Sequence, residues 1–86
     1  MKVLQQLAEK LDLPAEALAG AARVTVTGRN RVLIENHRGI LAYTDELLEV
    51  SCGRERIRVR GENLLLRAMD HEELLLTGTI FALDLE

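Results

Sequence analysis

The segments Arg23-Val-Thr-Val-Thr-Gly28 and Arg56-Ile-Arg-Val-Arg-Gly61 decide the fold, because each alternates apolar with polar residues and ends at a glycine. Alternation with a period of two is typical of a β-strand that buries one face. The same form recurs in Glu73-Leu-Leu-Leu-Thr-Gly78 and, more loosely, in Ile40-Leu-Ala-Tyr-Thr-Asp45. The ends of the four segments lie 17, 16 and 17 residues apart along the chain. This spacing predicts four units of about 17 residues, each with two short strands.

A mainly β fold follows from these units. A hairpin of two five-residue strands with its turns takes about that length, so the region after Arg23 is predicted to form seven to eight short strands. We expect an antiparallel rolled sheet. A fixed period also fits a short β-solenoid, which stays as the alternative. In a solenoid, Val24, Leu41, Ile57 and Leu74 would stack in one column.

The N-terminal region has a different periodicity. Apolar residues recur there at helical spacing, at Val3, Leu4, Leu7, Ala8 and Leu11. Pro14 ends this helix and suits the first position of a second short helix, which Gly20 stops. The chain of 86 residues is therefore predicted to be one domain, with a short helical segment over residues 1–21 and a β region over 22–86.

The size of the chain limits its core. Cys52 is the only cysteine, so no internal disulfide supports the fold and a reducing compartment is expected. A domain this small is marginal alone, which favours a homo-oligomer or a protein partner. Four leucines also fall out of phase with their apolar neighbours, which predicts that they lie on the second face of the sheet. Either the N-terminal helix covers them or they form a contact surface. They are Leu33, Leu47, Leu65 and Leu75.

Composition argues against catalysis and against membrane insertion. The only metal ligands besides carboxylates are His37, His71 and Cys52, and no close pair of them resembles a zinc motif. No nucleophile elbow, phosphate loop or dinucleotide fingerprint is present. We therefore expect no enzyme, no cofactor and no small-molecule substrate. The N-terminus lacks the apolar core of a signal peptide, and the apolar runs are too short to cross a bilayer, so a cytoplasmic protein is expected.

The most distinctive string is Glu35-Asn36-His37-Arg38-Gly39, which combines an acid, an amide, an imidazole and a guanidinium at a predicted turn. Loops on a rigid scaffold often carry function, so the string is a candidate site. Its other interpretation is a structural connection. In that case Asn36 bonds local backbone, Gly39 supplies a positive φ and Arg38 pairs with a carboxylate.

An alternating row of arginines, Arg54, Arg56, Arg58 and Arg60, offers a second candidate surface. Such a row can meet phosphates, which makes a small nucleic-acid-binding regulator the alternative function. The net charge of −3 and the presence of only two aromatic residues argue against nucleic acid. Cross-strand pairing with glutamates is the other interpretation of the row.

Several strings together resemble the YabP/YqfC family of sporulation proteins. They are Leu11-Asp-Leu-Pro14, Arg23-Val-Thr-Val-Thr-Gly28, Val32-Leu-Ile-Glu-Asn-His-Arg-Gly-Ile40, Tyr43-Thr, Gly61-Glu-Asn-Leu64 and Gly78-Thr-Ile-Phe-Ala-Leu. The string at residues 35–39 is similar to the YqfC branch. The chain departs from that branch at Ala22, where a proline is usual.

The resemblance implies a function and a set of contact residues. It implies a non-enzymatic structural protein of the mother cell that helps assemble the spore envelope or coat through protein–protein contacts. It also implies a partnership with a membrane-bound sporulation protein. The residues that it gives for holding a partner or a turn are Asn36, His37, Arg38 and Asn63.

Overall fold

The computed structural model describes residues 21–86, so the predicted N-terminal helices and the first part of the predicted domain lie outside the described residues. The described residues form six β-strands. They are β1 (Arg23–Thr27), β2 (Arg31–Glu35), β3 (Ile40–Tyr43), β4 (Leu47–Cys52), β5 (Glu55–Met69) and β6 (Glu73–Leu85).

All six strands belong to one open sheet with the order β1-β2-β6-β5-β4-β3. Each of its five strand pairings is antiparallel, which confirms the predicted mainly β, antiparallel sheet. The solenoid alternative needs stacked equivalent strands, and the register of the described strands gives no such stack. Val24 lies opposite Ile34, whereas Ile57 lies opposite Val50 and Leu85.

The number of strands differs from the predicted seven to eight. Gly61 and Gly78 were expected at turns, yet they lie inside the long strands β5 and β6. A Cβ on Gly61 would lie 2.0 Å from the backbone oxygen of Thr79, and a Cβ on Gly78 would lie 2.7 Å from that of Asn63. The glycines therefore allow two backbones to approach closely at a bend, where the pairing of β5 with β6 is interrupted by bulges.

The two bends divide the sheet into two half-sheets. The first half-sheet contains β1, β2 and residues 73–77 and 64–69 of the long strands. The second contains β3, β4 and residues 55–62 and 79–85. The third and fourth sequence units thus do have two extended runs each, but the chain bends between the runs instead of reversing.

One hydrophobic cluster joins the half-sheets, so they face each other across a shared core. Alternate residues of each strand enter it, as the period of two predicts. Its buried members are Val32, Ile34, Leu64, Leu74 and Leu76 from the first half-sheet and Leu48, Val50, Ile57, Val59 and Ile80 from the second.

The two hairpin turns hold the two bends. In the β1–β2 turn, the carbonyls of Arg29 and Asn30 accept hydrogen bonds from the N–H groups of Ile80 and Gly78, at 2.7 and 3.2 Å. In the β3–β4 turn, the carbonyl of Glu46 accepts from Gly61 at 3.0 Å, and that of Asp45 from Leu64 at 2.8 Å. Each turn thereby satisfies backbone groups that the bulged ladder leaves unpaired.

Candidate functional site

The connection between β2 and β3 carries the distinctive polar string and joins the two half-sheets. The N–H groups of Asn36 and His37 both donate to the carbonyl of Glu72, at 2.6 and 3.2 Å. Arg38 N–H donates to the carbonyl of Ser51 at 2.7 Å, and Ser51 N–H donates to the carbonyl of Gly39 at 2.8 Å. The backbone of the connection is therefore bonded to the β5–β6 turn on one side and to β4 on the other.

His37 is the one polar residue among the described residues whose side chain is buried, with 4% exposure. Its Nδ1 lies 3.0 Å from the N–H of Gly39, which can only donate, so Nδ1 is the unprotonated acceptor. The proton therefore lies on Nε2, which donates to the carbonyl of Asp70 at 2.9 Å. Both ring nitrogens are thus used in bonds to the backbone, and neither is left for a ligand or a substrate.

Asp70 organises the turn to which His37 is bonded. Its Oδ1 accepts hydrogen bonds from the N–H groups of Glu72 and Glu73, each at 2.8 Å. These bonds favour the charged carboxylate, so the N–H of Glu73 and then that of Glu72 hold the pKa of Asp70 below its usual value. The turn presents carbonyls to the connection partly because this carboxylate fixes its backbone.

The other candidate residues of the string have different surroundings. Asn36 adopts a φ of 62°, and its side chain donates to the carbonyl of Ala21 at 3.0 Å, which ties the connection to the start of the β region. Gly39 has the predicted positive φ, at 125°. Arg38 is exposed, and its predicted carboxylate partner is absent from the described residues.

The fourth candidate residue, Asn63, lies away from the string. It occupies the bend of β5 with a φ of 53°, and its carbonyl faces Gly78. The connection meets the sheet where Glu35 lies opposite Glu73, five residues from Gly78 along β6. At about 3.3 Å per residue this is roughly 16 Å. The described structure therefore does not bring the four residues together into one site, and their role in partner binding stays a prediction.

Acidic neighbours occupy half of the arginine row. Arg58 lies 3.2 Å from Glu49 and 3.1 Å from Glu86, and Arg60 lies 3.2 Å from Asp84. The bond from Glu49 is the main cause that raises the pKa of Arg58. These cross-strand pairs reduce the positive charge that the row offers to phosphates, so the row has the character of a solvated, charge-paired sheet face.

Three of the four out-of-phase leucines share one surface. Leu33 and Leu75 are direct cross-strand neighbours, and Ala68 lies opposite Leu75 on the other side. Leu65 lies opposite Thr77, two residues from Leu75 on the same face of β6, and is 46% exposed. We call Leu33, Leu65, Ala68 and Leu75 the outer leucine patch. Leu47, opposite Arg60, is on the outer face of the second half-sheet instead.

Tyr43 makes a contact that the sequence patterns did not reveal. Its hydroxyl accepts from the N–H of Leu66 at 2.8 Å and donates to the carbonyl of Leu64 at 3.4 Å. Residues 64–69 pair with β6 on one side only, so this hydroxyl occupies part of an otherwise unpaired strand edge. No local pattern gives this contact, because its partners are more than 20 residues away along the chain.

Searches for other kinds of site gave two findings. Among residues 21–86, no group of three or more His, Cys, Asp or Glu residues is placed to hold a metal ion. In the same part of the chain, no helix has the length and hydropathy that a membrane span requires.

The fold and the candidate residues define a small antiparallel β protein whose polar connection is structural and whose outer face carries an apolar patch. The YabP family profile matches residues 19–86, which include every described strand. An uncharacterized protein of Bacillus subtilis strain 168, YqfC, is 32% identical over 74 residues, which cover 86% of this chain and 80% of that protein. The chain belongs to the YabP/YqfC family, which confirms the resemblance seen in the sequence. No solved structure matched the chain.

Proposed function

We propose that the protein is a non-enzymatic sporulation protein that helps assemble the spore envelope or coat by binding other proteins through the outer leucine patch. It acts in the mother cell, on the cytoplasmic side of a membrane, and a membrane-bound sporulation protein is its partner. Family membership supports the link to sporulation. The observation that carries the mode of action is the patch itself, with three leucines gathered on one sheet face and Leu65 left 46% exposed.

The state of the polar residues also supports a binding role over catalysis. Acid–base or nucleophilic chemistry needs titratable groups that converge on open space. Here His37 is buried and doubly bonded to the backbone, and the carboxylate of Asp70 accepts two backbone bonds. The chemistry-bearing side chains of the string are thus committed to holding the half-sheets together.

The alternative of a nucleic-acid-binding regulator has weaker support. Arg58 and Arg60 are paired with Glu49, Asp84 and Glu86, and a phosphate would have to displace these carboxylates. Binding to DNA or RNA with a steep dependence on salt concentration would favour that function over ours.

Gene replacement in a spore-forming host tests the proposal. Deletion is expected to impair spore formation and to leave vegetative growth normal. The wild-type gene is expected to restore sporulation, whereas Leu65→Glu or Leu75→Glu is expected to fail at normal protein abundance. Leu41→Glu is the matched control, because Leu41 is 55% exposed on edge strand β3, outside the patch. Normal sporulation of the deletion strain would refute the function, and equal activity of all three variants would refute the patch.

Self-association is the second form that such contacts take. A homo-oligomer formed through the patch would give light-scattering masses above one chain for the wild type and for Leu41→Glu. Leu75→Glu is expected to reduce that mass to one chain, because a buried glutamate at a leucine interface is left without a partner charge. A wild-type protein that stays a monomer at all concentrations would limit the patch to contacts with a different protein.

A further inference from the structure

A groove runs between β1 and the last part of β6, on the side of the core that neither half-sheet closes. Its volume is about 470 Å³. Within the described residues, β1 pairs only with β2, and residues 79–85 pair only with β5, so both banks of the groove are unpaired strand edges. The groove is lined by Ala22, Val24, Ile57 and Leu85 among apolar residues, with Ala21, Cys52, Arg54 and Glu55 at its rim.

The floor of this groove is part of the core and lacks a cover. Ile57 is buried in the hydrophobic cluster, and Ala22, Val24 and Cys52 pack against it. Leu85, opposite Ile57 in the register, is 65% exposed, although its side of the sheet is the inner one. Val26, two residues beyond Val24 on the same face of β1, is also exposed. An apolar surface that continues a core is expected to be covered in a stable small domain.

We infer that the chain's own residues 3–13 dock in this groove as an amphipathic helix and complete the core from the open side. The residues outside the described structure end at Gly20, and Ala21 itself lines the groove, so the segment enters where the cover is needed. Its sequence supplies the matching apolar stripe, formed by Val3, Leu4, Leu7 and Leu11.

The lengths on both sides agree. A helix over residues 3–11 rises about 13 Å at 1.5 Å per residue. The five residues of β1 extend about 13 Å at 3.3 Å per residue. Residues 14–22 span up to about 30 Å when extended, which is enough to fold the helix back along β1.

Attachment to the same chain favours this segment over any other occupant. A short tether holds the helix at a millimolar effective concentration, and a second copy or a free partner reaches that concentration only at very high protein levels. The inference also separates two surfaces. A helix in the groove lies on the inner side of β1 and leaves the outer leucine patch free, whereas a helix over the patch would leave the groove open. It does not depend on the proposed function.

Cys52 provides a direct test, because it is the only cysteine and lies at the rim of the groove. A disulfide forms only when two Cα atoms come within about 7 Å. Single cysteines are introduced in the full chain on the apolar stripe, as Leu4→Cys, Leu7→Cys and Leu11→Cys. The matched controls on the polar face are Gln5→Cys, Gln6→Cys and Glu9→Cys. Burial raises the pKa of the Cys52 thiol, so oxidation is run with diamide at mildly alkaline pH.

We expect at least one stripe variant to form a disulfide within a single chain, at least tenfold faster than any polar-face control. Intact mass and non-reducing electrophoresis distinguish this product from a linked dimer. Equal rates on both faces would overturn the inference, and so would disulfides found only between two chains, which would assign the groove to a second copy.

Labelling of Cys52 in otherwise unmodified chains gives a second measurement that needs no new cysteine. The double variant Leu4→Glu/Leu7→Glu is expected to react with a thiol reagent at least tenfold faster than the wild type, whereas Gln5→Glu/Gln6→Glu reacts at the wild-type rate. Far-UV circular dichroism of the β region confirms that each variant stays folded. Unchanged labelling of the leucine variant would overturn the inference.

Discussion

At the scale of single residues, His37 holds together segments that are far apart in the sequence. Its ring joins the N–H of Gly39, in its own connection, to the carbonyl of Asp70, which lies 33 residues away. Because both partners are backbone groups, the residue acts as a strut between the connection and the β5–β6 turn. A second histidine, His71, lies on the same turn with a side chain that is 88% exposed.

This difference predicts unequal effects of two alanine substitutions. His37→Ala removes two hydrogen bonds and leaves a buried donor and acceptor unpaired, so we expect a loss of ~2 kcal/mol in the free energy of unfolding. His71→Ala is expected to stay within ~0.5 kcal/mol of the wild type, as exposed substitutions usually do. Urea denaturation of both variants measures the difference. A destabilisation by His37→Ala no larger than that by His71→Ala would contradict the structural role of His37.

Asp70 gives a pH-dependent prediction with a defined sign. Backbone bonds lower the pKa of its carboxyl in the folded protein below the model value of 3.8, so the folded state binds the proton less readily than the unfolded state. The stability from this group is present above pH 3.8 and is lost as the pH falls through the folded pKa. Asp70→Asn keeps the shape and removes the charge. We expect the urea midpoints of wild type and Asp70→Asn to differ most near neutral pH and to converge in acid, and a constant difference would contradict the assignment.

The sequence pattern revealed part of this site. The string at residues 35–39 was recognisable as a connection, and the positive φ of Gly39 was predicted correctly, because both follow from local residue types. The partners of His37 and Asn36 were not predictable, since Asp70, Glu72 and Ala21 approach only after the half-sheets have folded together.

At the scale of elements, the two glycine bends distinguish this sheet from a series of hairpins. Gly28 and Gly61 end similar segments, yet the chain turns at one and continues through the other. The alternation of residues around a glycine is the same in both cases, so the period of two located the extended runs but not the turns. Long-range pairing of β5 with β6 decides between a turn and a bend, which is why the strand count was wrong while the class of sheet was right.

The bend at Gly61 gives a stability prediction. Gly61→Val would place a Cβ where the backbone oxygen of Thr79 lies, and a backbone atom cannot move aside as a flexible side chain can. We expect a loss of ~3 kcal/mol or more, which exceeds the effect of His37→Ala. The control is Gly28→Asn, because that position has a positive φ that asparagine tolerates and open space around its Cβ. Thermal melts that rank His37→Ala as more damaging than Gly61→Val would show that the close approach at the bend is absent.

At the scale of the whole molecule, two half-sheets enclose one core and leave two apolar surfaces of different kinds. The groove beside β1 continues the core, and its lining includes buried Ile57. The outer leucine patch lies on the opposite side of the first half-sheet and has no connection with the core. A chain of this size has one helical segment with which to cover either surface, so the surface that it leaves open is available to another protein.

Site-specific photocrosslinking in sporulating cells tests the central claim, that the outer leucine patch binds another protein, most directly. A photoreactive phenylalanine analogue replaces Leu65 in the patch or, as the control, Leu41 on edge strand β3. We predict that the Leu65 derivative forms a discrete crosslinked product with another protein chain during sporulation, and that the Leu41 derivative forms none above background. Equal products from both positions, or no product from Leu65 in folded protein at normal abundance, would contradict the account.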